Sequence, residues 1–219
     1  MSWDWSYAAQ ILPDLLWGVW VTVVVTAACA AIALVGGLGI AVVASVGGRT
    51  ARLGVRASIE LFRGVPILVL LYFGFYALPQ IGVTLPPFAI GVLVLGVVYA
   101  AYCSEVYRGA LITIPPGIRD ACVALGLPTR VVWLKVLLPL AIQKSMPALI
   151  NYVLVLYRQS AFLFAIGVPV LLARAQVAGY QSFRYLEPYT LAGILYLLLN
   201  LPFVYLLHRY TAAHAEINA

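Results

Sequence analysis

Charge is what this sequence has least of. Asp, Glu, Lys and Arg make up 9% of its 219 residues, against about 25% in an ordinary soluble domain, while 64% are hydrophobic and the mean hydropathy is +1.04. A soluble fold of this size has no interior large enough to hide so much apolar side chain, so long stretches must face lipid. Cysteine and histidine are scarce as well. Cys29, Cys103 and Cys122 stand far apart in apolar or helical contexts, which excludes a disulfide framework and a metal-ligand spacing. His208 and His214 are the only histidines, both at or beyond the end of the last apolar run. No nucleophile, base and orienting group come together in the pattern that covalent catalysis needs. A G-x-x-x-x-G-K-S/T phosphate loop is missing too, so no nucleotide is expected to bind here. No Lys or Arg precedes Arg49, the reverse of the basic start of a signal peptide, so the first apolar run is expected to be retained.

What is present is a series of charge-free runs, from Asp14 to Arg49, from Arg63 to Glu105 and from Glu187 to Arg209. A bilayer crossing takes about 20 mostly apolar residues, so these hold one long span, then two, then a last one. Gly47-Gly48, Leu78-Pro79, Leu85-Pro86-Pro87 and Pro115-Pro116-Gly117 read as turns or helix ends. The reading is an all-α integral membrane protein, a single transmembrane domain over residues 1 to 219. Its five spans fall near residues 16 to 46, 57 to 78, 87 to 110, 145 to 169 and 187 to 209. Helices are required because an open sheet edge has no hydrogen-bond partners in lipid.

The formal net charge is +6, but the basic residues are spread thinly between apolar runs and form no nucleic-acid patch. They orient the chain instead. With the N-terminus outside, ten of the thirteen (Arg49, Arg52, Arg56, Arg63, Arg108, Arg119, Arg130, Lys135, Lys144 and Arg209) lie on the cytoplasmic side, and only Arg174 and Arg184 lie outside. Trp3, Trp5, Trp17 and Trp20 then ring the outer interface, where aromatic side chains anchor helices. The thirteenth basic residue, Arg158, stands in the middle of the fourth span. An intramembrane charge costs about 2.5 to 3.5 kcal/mol at a helix centre and marks a functional candidate. A purely structural arginine paired with Glu105 or with backbone carbonyls fits the sequence equally well.

Between the third and fourth spans lies a long cytoplasmic segment, about residues 111 to 144. Pro115-Pro116 ends the third helix, Ile118 to Leu125 reads as a short helix, Gly126 suits its C-terminal cap and Pro128 the start of a second helix. The apolar side of this hairpin suits either the membrane surface or a groove on a soluble partner.

Asp120-Ala121-Cys122, Gly126 and Val136-Leu137-Leu138-Pro139 resemble, in residue type and throughout in spacing, the EAA loop of ABC-importer permeases. That pattern is E-A-A, three residues, G, nine residues, then I-x-L-P. Asp120 replaces Glu and is one methylene shorter, Cys122 replaces Ala, and Val136 replaces Ile. The likeness runs along nearly the whole chain and points to the polar amino-acid branch of the family. Phe62-Arg63-Gly64-Val65-Pro66-Ile67-Leu68-Val69 is similar to F-R-G-T-P-L-L-V, and Leu70 replaces the usual Gln. Tyr102, Glu105, Arg108 and Gly109, followed by Ile114-Pro115-Pro116-Gly117, resemble A-Y-x-x-E-x-x-R-G and I-P-x-G. The branch's K-D-T-S stands here as Arg158-Gln159-Ser160-Ala161. Loss of that acidic group argues against a strongly basic solute, provided this subunit lines the site. The run Phe183-Arg184-Tyr185-Leu186-Glu187-Pro188 most resembles permeases assigned to ectoine and hydroxyectoine, which are zwitterionic compatible solutes.

The resemblance implies a type I importer permease in the bacterial cytoplasmic membrane, with a coupling helix that docks on an ATP-binding-cassette ATPase. It implies ATP and Mg on that partner and none on this chain. It also implies a second permease subunit, alike or different, and an extracytoplasmic solute-binding protein. Asp120, Ala121, Cys122, Gly126, Leu138 and Pro139 are the expected coupling residues. Arg63, Tyr102, Glu105, Arg158, Gln159 and Ser160 are candidates for the solute path, because polar groups at membrane depth need a reason. Two other readings compete. A self-contained secondary transporter usually carries internal repeats, into which five spans do not divide. An intramembrane enzyme needs ionisable groups converging at one depth, and only Glu105 and Arg158 come near that.

Overall fold

The computed structural model describes residues 3–215, and its regular structure is helical throughout. The side chains of His208 and His214 fall outside what it describes. Helix α1 (Trp5–Val46) is followed by α2 (Arg49–Gly64) and α3 (Ile67–Tyr72), the last extended by a π turn (Phe73–Ala77) and a 3-10 turn (Leu78–Ile81). Helix α4 (Pro87–Ile112) leads to α5 (Pro116–Ala124) and the single turn α6 (Thr129–Val131). A π turn (Val132–Leu137) joins α6 to α7 (Leu138–Gln159), which tightens into a 3-10 segment (Ser160–Ile166). Helices α8 (Leu171–Ser182) and α9 (Leu186–Ala215) complete the chain. Four helical runs are long and apolar enough to cross a membrane, and the α2–α3 pair, bent by 99°, makes a fifth if it counts as one span.

Several boundaries differ from expectation. Helix α1 begins at Trp5, well before residue 16, because Asp4 caps its free N–H groups and Pro13 is accommodated inside the helix. The expected span 57 to 78 is not one helix. Val65 precedes Pro66 and is extended (φ −96°, ψ 132°), as the clash with a proline ring requires, so α2 stops and α3 restarts at another angle. The second helix of the loop hairpin is not separate either, since residues Thr129–Ile166 form one 38-residue run. The π turn immediately before Pro139 gives the slack that accommodates its missing N–H. Helix α8 was not expected from the sequence, because its buried face is built from Leu171, Ala175, Ala178 and Gly179 and shows no strong apolar stripe.

Small residues set the main contact. Cys29, Ala33, Gly37 and Ala41 repeat every fourth position on α1 and are all buried, facing Gly96, Ala100, Cys103 and Ser104 of α4. Such surfaces let two backbones approach closely, which is how helices associate where lipid removes the hydrophobic driving force.

The end of the molecule remote from α5 is held by ion pairs. Arg184 Nη1 donates to Asp4 Oδ2 at 2.7 Å and Arg174 Nη1 to Asp14 Oδ1 at 3.0 Å. The backbone N–H of Asp4 donates to the buried Glu187 carboxylate at 3.1 Å, and Tyr7 Oη donates to Ser182 Oγ at 2.7 Å. The start of α1 is thereby tied to the α8–α9 corner. The Ser6 hydroxyl, then Arg184 and the Tyr7 N–H, hold the Asp4 carboxyl well below the usual carboxylate range. A depressed carboxylate stabilises the fold above its ordinary value, near 4, and the benefit fades as pH falls through the folded value. Between pH 6 and pH 3 the wild-type melting temperature is therefore expected to fall further than that of Asp4→Asn, measured side by side by intrinsic fluorescence. Equal falls would remove Asp4 from the account.

Candidate functional site: a solute cavity and a coupling surface

The α2–α3 break opens a cavity of about 520 Å³ against α4 and the end of α7. Arg63, the last side chain of α2 before Gly64, Tyr102 of α4 and Gln159 of α7 all line it. The Arg63 guanidinium carbon lies 4.8 Å from the centre of the Tyr102 ring, a cation–π arrangement that orients the charge over the ring face. Tyr102 is itself set by its neighbours Tyr99 and Tyr152, with ring centres 5.6 and 5.5 Å away. Gln159 Oε1 is buried and accepts no hydrogen bond among the described residues. An orphaned acceptor of this kind costs about 1 to 3 kcal/mol, and a donor on a bound molecule would relieve it. The cavity thus offers a cation for a carboxylate, an acceptor for an ammonium or amide, and aromatic walls.

The other three path candidates lie elsewhere. Arg158, one residue before Gln159 on the helix, lines a different cavity of about 390 Å³, together with Tyr157, Tyr196 and Asn200. Its Nε donates to the Leu154 carbonyl at 3.4 Å. Glu105 is not the partner of Arg158; it accepts two bonds from Arg108, at 3.0 and 2.6 Å, one turn along α4. Ser160 is fully buried and donates to the Tyr157 carbonyl at 2.6 Å, which satisfies it without a solute. Tyr99 and Phe162 also line the cavity and were not among the expected residues, though Tyr99 and Tyr102 stand three apart on a helix and so share a face.

Helix α5 carries Asp120, Ala121 and Cys122, and it ends in two reciprocal bonds: Gly126 N–H to the Val123 carbonyl at 2.9 Å and Leu127 N–H to the Cys122 carbonyl at 3.1 Å. This is a Schellman turn with Gly126 at its left-handed position, φ +63°. Pro128 caps the next turn. Cys122 is buried, while Asp120 and Ala121 face outward. Val123 and Leu125 are 78% and 74% exposed, which is high for apolar side chains at the tip of a structured hairpin. Arg119 and Lys144 brace the hairpin, donating to the Leu111 and Thr113 carbonyls near the end of α4. Leu138 and Pro139 sit where α7 begins, next to the buried Leu137.

The sequence signature of the family described as the binding-protein-dependent transport system inner membrane component matches residues 33–213. The chain belongs to this family. A probable amino-acid ABC transporter permease protein of Sinorhizobium fredii is 35% identical over 196 residues, covering 90% of this chain and 85% of its own. The glutamine transport system permease protein GlnP of Escherichia coli is 31% identical over 215 residues, 95% of this chain and 96% of its own. A chain from a solved structure described as an amino acid ABC transporter with histidines superposes with a TM-score of 0.87 at 30% identity, over 96% of this chain and 98% of that one. The protein is thus a multi-pass inner-membrane permease of an ABC importer, and its relatives are non-catalytic transport subunits served by a separate ATPase. This takes the place of the secondary-transporter and enzyme readings. In the permease, the five polar or helix-breaking signals at Arg63, Pro66, Tyr102, Gly126 and Gln159 fall at two places, the cavity and the hairpin tip.

Proposed function

We propose that this permease carries a polar amino acid or an amino-acid-like zwitterion inward by alternating access, with ectoine and hydroxyectoine as the first compatible solutes to test. The observation that carries the reading is the Arg63, Tyr102 and Gln159 cavity, whose lining complements a carboxylate and a neighbouring N–H group while offering no carboxylate to a cationic side chain. The solute reaches it from an extracytoplasmic binding protein with the N-terminus of the permease outside. The hairpin built on Asp120, Ala121, Cys122 and Gly126, with Leu138 and Pro139 behind it, seats on a cytoplasmic ATP-binding-cassette subunit. A second permease subunit, the same chain or a partner, completes the pathway. ATP and Mg bind to the ATPase partner and not to this chain.

The test is ATP hydrolysis by the complex purified through this chain, in vesicles with its binding protein, against ectoine, glutamine, glutamate, histidine and arginine. Stimulation is expected from a neutral zwitterion and not from arginine. Gln159→Asp is expected to shift preference toward cationic solutes by about tenfold, the scale of one charge-assisted hydrogen bond. An unaltered preference in that variant, together with full activity in Arg63→Gln, would show that solute passes elsewhere.

A further inference from the structure

Helix α2 carries Arg49, Arg52, Arg56 and Arg63, and at about 100° per residue all four fall within roughly 60° of its circumference. Arg63 ends the stripe and is committed to Tyr102. Among the described residues none of the other three has a carboxylate within ion-pair distance, and the one side-chain bond Arg52 makes is long, 3.5 Å to the Gly47 carbonyl. Arg52 and Arg56 face Arg108 of α4 across a cavity of about 200 Å³, lined also by Ala44, Glu60 and Glu105. Glu105 is already engaged by Arg108 in a two-point contact, which leaves Arg52 and Arg56 against Glu60 alone, an excess of one cation in the lining.

The surroundings identify what supplies the anion. Helix α2 is bent by 99° from the α3 segment, so with that segment crossing the bilayer α2 lies along its surface. One flank of α2 is packed inward by Ile59, while Leu53 and Leu61 are 60% and 63% exposed, and the arginines lie between these faces. A helix with exposed leucines beside a basic stripe sits in the interface, its leucines toward acyl chains and its arginines among headgroups. Two guanidinium forks facing one small cavity match the paired oxygens of a phosphate.

We infer that Arg52 and Arg56 form a binding site for the headgroup phosphate of an anionic phospholipid, fixing α2 and hence the α2–α3 break at the membrane surface. The inference uses neither the identity of the solute nor the coupling partner. It is tested on the purified complex in neutral detergent by following its melting temperature during titration with short-chain phosphatidylglycerol, short-chain phosphatidylcholine or inorganic phosphate. Phosphatidylglycerol is expected to give a saturable rise of several degrees and phosphatidylcholine none. R52Q/R56Q is expected to weaken that response at least tenfold, while R130Q/K135Q, which removes as much charge from the hairpin, keeps it. Equal responses to the two lipids, an undiminished response in R52Q/R56Q, or the same loss in both double variants would overturn the site. A full response to inorganic phosphate alone would assign the cavity to a free anion and overturn the lipid reading.

Discussion

Gly126→Val is expected to cut solute-stimulated ATP hydrolysis by the assembled importer about tenfold or more while leaving the permease folded in the membrane. The residue holds φ at +63°, and a side chain added there would meet nothing within 4 Å. Space is therefore not what the glycine provides. A left-handed residue costs an L amino acid roughly 1 to 2 kcal/mol, more when it is β-branched. Valine avoids that cost by unwinding the turn, releasing the two bonds at Val123 and Cys122 and re-aiming Val123 and Leu125, the exposed tip on which docking is proposed to rest. Asparagine tolerates the left-handed region far better, so Gly126→Asn is expected to retain most of the coupling. ATPase and uptake assays on both variants in the same vesicles check this. Valine performing like wild type would mean the turn does not set the docking geometry.

Gly37→Leu is expected to be strongly destabilising in the helix core. Even a methyl group at this position would lie 2.7 Å from Cys103 Cβ and 2.9 Å from the Ala100 carbonyl oxygen, and the second of these is backbone that cannot turn aside. Overpacking of this kind costs about 1 to 3 kcal/mol, occasionally more. In a chain of this size that is a fall of roughly 5 to 10 °C in melting temperature at the upper end, with less protein recovered from the membrane. Gly39, two residues on, has nothing within 4 Å, so Gly39→Leu is the matched control and should melt close to wild type. If the two variants melted alike, the small-residue crossing of α1 and α4 would not be the contact that holds the bundle.

The sequence was informative wherever a residue type has one physical consequence. Charge-free runs located the spans, and α4 was placed almost to its ends because Pro87 opens it and Pro115 follows its close. Gly126 and Pro128 marked the hairpin turn for the same reason, since one accepts a left-handed backbone and the other begins a helix without an N–H. What escaped was geometry that composition does not encode. An apolar run reads the same whether straight or bent, so the break at Val65-Pro66 stood in plain view as residues and remained hidden as an angle. Helix α8 buries alanine and glycine, which carry little signal. Arg158 and Gln159 are adjacent in sequence and were taken together, yet neighbouring residues on a helix point about 100° apart, and they serve different cavities.

The length of α1 has a mechanical side. Its 42 residues span about 63 Å, roughly twice the hydrocarbon thickness of a bilayer, whereas the 26 residues of α4 span about 39 Å. Pro13 lies in the outermost turns of α1, so the remainder is an uninterrupted rod. One end of that rod is riveted to the α8–α9 corner through Asp4 and Asp14, and the other passes into α2 through Gly47 and Gly48 alone. It is a strut joining the two faces of the membrane, so a displacement of the α8–α9 corner is carried along it to the arginine-bearing helix, whose last residues line the cavity.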